Sequence, residues 1–278
     1  MAVTPHVVGA DGGVRAGVLA VLVDIVGGAM AVDLLAPDWM ATADLALQLV
    51  QPAFGPYVEA RASVVRRGRT TLVIEVDLVN SSASFEAASG SASFGAWPSE
   101  DTVGWAVLSF AVLGRQGAAG HSAAIGEAGA ATTGAVEAAG EVTRPQPGQH
   151  LFTGGSLGRS ILEAVSIAVD EDGSGRVSMP VVEYVHNSFG AVQGGVMALV
   201  GEVAGTESVS RALGTGAHAA TADLHITYLS LGRHGPIVAT TDEVWSEATT
   251  GTGGALVKLV DEGRGGRLNA VVSVVATR

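Results

Sequence analysis

Two long apolar stretches stand out against shorter runs that alternate apolar and polar positions. The first, Val14 to Val32, reads VRAGVLAVLVDIVGGAMAV, with Arg15 in its first turn and Asp24 near its middle. The second begins at Gly194, GGVMALVGEVAG, and carries Glu202. A helix apolar on all sides suits either a membrane or the centre of a soluble fold. A carboxylate in lipid is expensive, so the first stretch is expected to be a core helix. Each stretch is followed by period-two runs that predict half-buried strands. These are LALQLV from Leu45, LVIEVDLV from Leu72 and Trp105 to Leu113 after the first, and LHITYL from Leu224, ALVKLVDE from Ala255 and Leu268 to Ala276 after the second.

Aligned, these elements form an internal repeat. Gly12-Gly13-Val14-Arg15-Ala16-Gly17-Val18 corresponds to Gly190-Ala191-Val192-Gln193-Gly194-Gly195-Val196. Asp24 lies seven residues after Gly17, and Glu202 lies seven after Gly195. Thr42-Ala43-Asp44-Leu45 repeats without change as Thr221-Ala222-Asp223-Leu224, and Gly55-Pro56 returns as Gly235-Pro236. Arg66-Arg67-Gly68-Arg69 occupies the hairpin position held by Glu247 to Gly251 in the second copy. The glycines Gly27-Gly28 and Gly205 predict the ends of the two helices. The offset between copies drifts from 178 to 183 and drops to 163 at the last strand. The drop places an insertion at about 81–104 of the first copy.

The expected organisation is therefore an N-terminal unit over 1–113, a Gly/Ala-rich linker over 114–150 and a C-terminal unit over 151–278. The second unit is expected to open with two further strands, Ile161 to Asp170 and Gly175 to Tyr184. The fold class is α+β, each unit being a long helix followed by antiparallel strands. A helix apolar all round needs a curved sheet around it and a second unit over it, so two copies side by side make one core.

Composition narrows the chemistry. Cysteine is absent, which excludes disulfides, cysteine nucleophiles and thiolate metal sites. The net charge of -12 disfavours nucleic acid as a partner. No signal-peptide pattern opens the chain, and a cytoplasmic location is expected. The spacing of His186, His218 and His225 matches no metal motif, so no metal is expected.

The chain resembles hotdog-fold acyl-CoA thioesterases of the phenylacetate-pathway (PaaI-like) type, in tandem or double-hotdog form. The resemblance rests on Asn187-Ser188-Phe189-Gly190-Ala191-Val192-Gln193-Gly194-Gly195 with an acid seven residues on, on the Thr-Ala-Asp-Leu strand starts, the Gly-Pro breaks and the Gly-Arg hairpin. The sequence departs from the family pattern in three places. Gln193 stands for the usual His, Glu202 for the usual Asp, and the first copy has Gly9, Arg15 and Ala16 where Asn, His and Gly are usual.

The resemblance implies a composite site in which the Gly194 backbone N–H at a helix start polarises the thioester carbonyl. Asn187 and Gln193 orient the thioester. Asp24 of the other unit attacks or activates water, and Thr42 assists it. The bland alternative for Asp24 is a carboxylate tied to a neighbouring backbone or a buried Arg. The reciprocal site pairs Glu202, Thr206 and Thr221 with Gly9, Arg15 and Ala16. It keeps the acid but lacks the side-chain polariser, and Arg15 crowds it. One working site per chain, centred on Asp24, is expected. Gly195 would allow close approach of substrate. Arg66, Arg67 and Arg69 either form a solvated turn or contact the coenzyme A phosphates. No cofactor is implied beyond coenzyme A as part of the substrate, and the family suggests a homodimer of tandem chains, with no membrane. A non-catalytic acyl-CoA-binding protein and, behind it, an enoyl-CoA hydratase-type enzyme remain the alternatives.

Overall fold

The computed structural model describes residues 1–82, 99–113, 158–170, 175–187, 190–214, 216 and 218–278. The expected linker, and the greater part of the insertion, lie outside the described residues. The elements are α1 (Ala16–Leu35), β1 (Trp39–Leu49), β2 (Tyr57–Arg67), β3 (Thr71–Ser81) and β4 (Thr102–Leu113), then a one-turn helix α2 (Ile161–Ala164), β5 (Ala168–Val169) and β6 (Val177–Met179). They continue with α3 (Gly194–Leu213), β7 (Ala220–Tyr228), β8 (Ile237–Glu247), β9 (Thr252–Asp261) and β10 (Arg267–Thr277).

All ten strands form a single antiparallel sheet in the order β2-β3-β4-β1-β7-β10-β9-β8-β6-β5. The β1–β7 pair sits at its middle. Ala46 faces His225 there, with Leu45 opposite Ile226 and Leu47 opposite Leu224. Leu45, Leu47, Leu224 and Ile226 are fully buried on the helix side, while Asp44, Gln48, Asp223 and Thr227 lie on the other face. The alternation read from the sequence thus fixes which face of each strand covers the helices.

Both helices lie on that inner face and pack against each other. Glycine makes the approach close. A Cβ on Gly17 would fall 2.7 Å from Leu199 Cα, and one on Gly195 would fall 2.5 Å from Val21 Cα. The two contacts are equivalent by the repeat, and the helices run antiparallel past each other. Each therefore brings its midpoint to the other's N-terminus. By length and composition α1 is the one helix among the described residues apolar enough to cross a membrane, and half of that window is buried within the protein.

Three expectations need correction. The helices do not end at their glycines. α1 continues to Leu35 and stops before Pro37, whose ring cannot extend a helix. α3 continues to Leu213 and stops at Gly214, whose φ of 108° suits glycine. Gly27 and Gly205 instead admit Leu108 and Val274, whose side chains would sit 3.2 and 2.6 Å from an added Cβ. The lead-in to the second unit is mostly not strand. Ser160 and Glu163 form a capping box that winds Ile161–Ala164 into a turn of helix. Only Ala168–Val169 and Val177–Met179 pair as strands. The strands beside the insertion are also longer than expected, since β3 reaches Ser81 and β4 begins at Thr102 rather than Trp105.

The packing gives a direct test. Gly17→Ala is expected to lower stability by about 1–3 kcal/mol, because the new methyl meets backbone. Gly28→Ala, in the same helix with nothing within 4 Å of the added Cβ, is expected to gain about 0.5–1 kcal/mol. Urea unfolding of the two variants checks both signs.

Candidate active site

The described part of the protein buries three carboxyl residues, Asp24, Glu202 and Asp261. A buried carboxylate must be compensated or it shifts toward its neutral form. The three are compensated in different ways.

Asp261 accepts three backbone N–H bonds, from Arg233, His234 and Gly235, at 2.9, 3.0 and 2.8 Å. Burial pushes its pKa up, but the backbone donors of His234, Arg233 and Gly235 outweigh it and leave the group below the usual carboxylate range. It closes a loop far along the sheet from the helix crossing.

Glu202, in the middle of α3, is held by Arg15 at the start of α1. The guanidinium reaches it through Nε at 3.2 Å and through Nη2 at 3.0 and 3.3 Å. Thr206 and Thr221 donate to Oε1 at 3.1 and 3.4 Å, and their hydroxyls lie 3.0 Å apart. The structure thus brings Glu202, Thr206, Thr221 and Arg15 of the reciprocal site together. Arg15 does more than crowd that site, because it neutralises the acid. A cavity of about 310 Å³ opens beside it, lined among others by Gly9, Gln51, Ser210 and His218.

Asp24, in the middle of α1, has no cationic partner among the described residues. Its Oδ2 accepts the Gly195 N–H at 3.0 Å, and its Oδ1 accepts the Thr42 hydroxyl at 3.1 Å. The carboxylate lies 3.2–3.3 Å from the position a Gly194 Cβ would take, so a side chain there would crowd the acid. Burial pushes the Asp24 pKa up, and the bonds from Gly195 and Thr42 only partly oppose it. The first N–H groups of a helix have no intrahelical acceptor, so Gly194 presents a backbone donor beside the acid.

Thr42 reaches Asp24 through a local irregularity. The β1–β4 register shifts between Thr42 and Asp44. A bulge at Ala43 reverses the alternation and turns Thr42 toward the helices, whereas Asp44 points outward. The β7–β10 register shifts in the same way between Val275 and Ala276, opposite Thr221 and Asp223, which aims Thr221 at Glu202. The repeated Thr-Ala-Asp is therefore a bulge motif, a feature that period-two alternation alone conceals.

The remaining candidates fall into place unevenly. Asn187 uses Oδ1 to accept the Ala191 N–H at 3.2 Å, bracing the loop before α3. Gln193 is the residue before that helix and makes no side-chain cap bond. Gly195 packs on α1 and donates to Asp24. Arg66, Arg67 and Arg69 are exposed. Arg67 stands opposite Leu72, Leu72 opposite Phe110, and Phe110 opposite Thr42. The arginine turn is thus at the Thr42 end of the strands, about 14 Å across the sheet from Thr42. His225 Nε2 lies 2.8 Å from Asp44 on the outer face, His218 lines the Glu202 cavity, and His186 has a buried Nε2 without a partner. No group of three His, Asp or Glu suited to a metal occurs among the described residues.

One neighbour of Asp24 escaped the sequence. Tyr228, at the end of β7, donates its hydroxyl to the Gly194 carbonyl at 2.8 Å. In the repeat its counterpart is Leu49, and a comparison of the copies for lost symmetry is the signal that could have found it.

Residues 12–84 match the thioesterase superfamily model. No curated protein matches the sequence significantly. Among solved structures the chain is similar to the tesB protein of Mycobacterium avium subs. paratuberculosis. The identity is 13%, the TM-score is 0.54, and the match covers 96% of this chain and 88% of that one. It is also similar to an acyl-ACP thioesterase from Bacteroides thetaiotaomicron at 12% identity and a TM-score of 0.53, over 99% and 95% of the two chains. These likenesses span nearly the whole chain and give it the α+β hotdog fold.

Two stability measurements test the electrostatics. Arg15→Met strands the Glu202 carboxylate and is expected to cost about 3–5 kcal/mol, most of it recovered when Glu202→Leu is added. Asp24 behaves oppositely. Its raised pKa means the folded state holds the proton more tightly than the unfolded chain, so the stability this confers is present at low pH and is lost as pH rises through the folded pKa. Asp24→Asn, whose amide can accept from Gly195 and donate to Thr42, is expected to unfold at a higher temperature than wild type at pH 8. The advantage is expected to vanish toward pH 4 in thermal melts across that range.

Proposed function

We propose that the protein is an acyl-CoA thioesterase built as a double hotdog, with its working site at Asp24. Residues 1–113 and 151–278 are its two units, and neither forms the site alone. The observation that carries this reading is the Asp24 carboxylate, buried with no cation beside it among the described residues and held against the glycine start of the opposite helix. Burial raises the pKa of such a group and so makes its carboxylate a stronger base toward a bound water.

The chemistry follows from that placement. The thioester carbonyl oxygen approaches the Gly194 N–H, and the α3 dipole stabilises the charge that develops on it. Thr42 and the Gly195 N–H fix the carboxylate so that one lone pair faces the carbonyl carbon or an intervening water. Water loses its proton to Asp24 as its oxygen bonds to carbon. The C–S bond then breaks, and the coenzyme A thiolate leaves and is protonated. Gln193 lines the approach to the helix start, and Asn187 acts by shaping the loop that presents it. The arginine turn is within the reach of a coenzyme A phosphate arm. No cofactor takes part. Pairing of two chains, a cytoplasmic location and independence from membranes and nucleic acid complete the proposal.

In this reading Glu202 has a structural role, its carboxylate being held in an ion pair with Arg15. Free-thiol release from short, long and aromatic acyl-CoAs tests the assignment. Asp24→Asn is expected to lose at least about 100-fold in kcat/KM while remaining folded. Glu202→Gln is expected to stay within a few-fold of wild type. The reverse pattern would move the catalytic centre to the other end of the helix pair. No release by wild type with acyl-CoA still bound would leave a binding protein.

A further inference from the structure

The Gly194–Gly195 peptide connects two side chains from different elements. Its carbonyl oxygen accepts the Tyr228 hydroxyl at 2.8 Å. Its N–H donates to Asp24 Oδ2 at 3.0 Å. The two hydrogen bonds lie on opposite ends of one amide and run in one direction, from phenol to amide to carboxylate. A donor on a carbonyl oxygen draws electron density from the amide nitrogen and makes its N–H a stronger donor. We propose that Tyr228 is a positioning residue that acts on Asp24 through this single peptide, strengthening and aiming the one backbone hydrogen bond the carboxylate receives.

Three observations support the relay. First, the phenol is a lasting donor: burial and then the nearby Asp24 and Asp44 carboxylates hold its pKa well above the usual value, so it stays protonated. Second, the hydroxyl would lie 3.1 Å from a Gly194 Cβ, so the ring also fixes the first residue of α3 in space. Third, the reciprocal end of the helix pair lacks the device. Leu49 occupies the position of Tyr228 and cannot donate, and there the acid is held by the Arg15 side chain instead.

Among the described residues few other ionisable groups bear on Asp24. The first turn of α3 carries none. From β1 the nearest is Asp44, which faces outward and is bonded to His225 and Thr227. From β7 it is Tyr228 itself. Loss of the phenol should therefore be read cleanly in the titration of Asp24.

The proposal rests on the Asp24 site but is tested without requiring turnover. The Asp24 carboxyl carbon is followed by NMR in the full chain labelled with [13C]Asp, the resonance being assigned by its disappearance in Asp24→Asn. Tyr228→Phe is expected to raise the Asp24 midpoint by about 0.3 of a pH unit or more, since the relayed bond weakens. Replacing Tyr228 by 2,3-difluorotyrosine, a stronger donor of nearly the same shape, is expected to lower it. Leu49→Ala is expected to leave it in place. The acid limb of kcat/KM on the best acyl-CoA should move with each midpoint. An Asp24 midpoint that does not rise in Tyr228→Phe, or that fails to fall with the fluorinated residue, overturns the relay even if the enzyme is active. Midpoints that move as expected with no thiol release from any acyl-CoA would instead refute the thioesterase assignment and leave the relay standing.

Discussion

The fold and its site both depend on how closely α1 and α3 can cross. Gly17 and Gly195 let each helix touch the backbone of the other. With side chains at those positions the axes would separate, and two things would be lost together. The core would gain a seam, and the acid in the middle of each helix would no longer reach the other's first turn. Seven residues of helix span about 10.5 Å, which is the distance from the glycine contact to each acid. The same contact therefore sets the packing and delivers a carboxylate to a helix N-terminus at both ends.

What each end does with that carboxylate is then decided by single residues around it. Arg15 follows the Glu202 carboxylate into the core and compensates it fully. Gln193, in the equivalent place, brings no charge to Asp24, which is left with one amide and one hydroxyl. Asp261 illustrates a third outcome, in which backbone donors alone satisfy the charge. Burial is similar in all three cases. The compensation differs, and Asp24, held by one amide and one hydroxyl, is the acid whose pKa burial leaves raised.

Much of this was legible in the sequence because repetition reveals equivalence without any geometry. The two acids, the glycines before them and the twin Thr-Ala-Asp strand starts were all found by aligning the chain with itself. Strand positions followed from alternation, whereas their order in the sheet did not. The helix ends were misjudged because glycine in a helix was taken as a stop, when Gly27 and Gly205 admit neighbouring side chains from the sheet. The bulges at Ala43 and Ala222 are invisible to a period-two pattern, since they appear only when a strand is set against its partner. Tyr228 was missed because it is ordinary as a strand residue. Its importance comes from a carbonyl 34 positions away in sequence that the fold brings within 2.8 Å.

The continuous sheet, with β1 beside β7 at its centre, places both helix crossings within one polypeptide. In an assembly of two identical subunits, any change at the helix start would be inherited by both crossings at once, and an arginine that disabled one acid would disable the other. Encoding the halves separately removes that constraint. Position 15 and position 193 are independent letters, free to be selected for different purposes, so one crossing can take on an ion pair while its twin leaves its acid without one. Asymmetry of this kind is open to a fused chain and closed to a symmetric dimer.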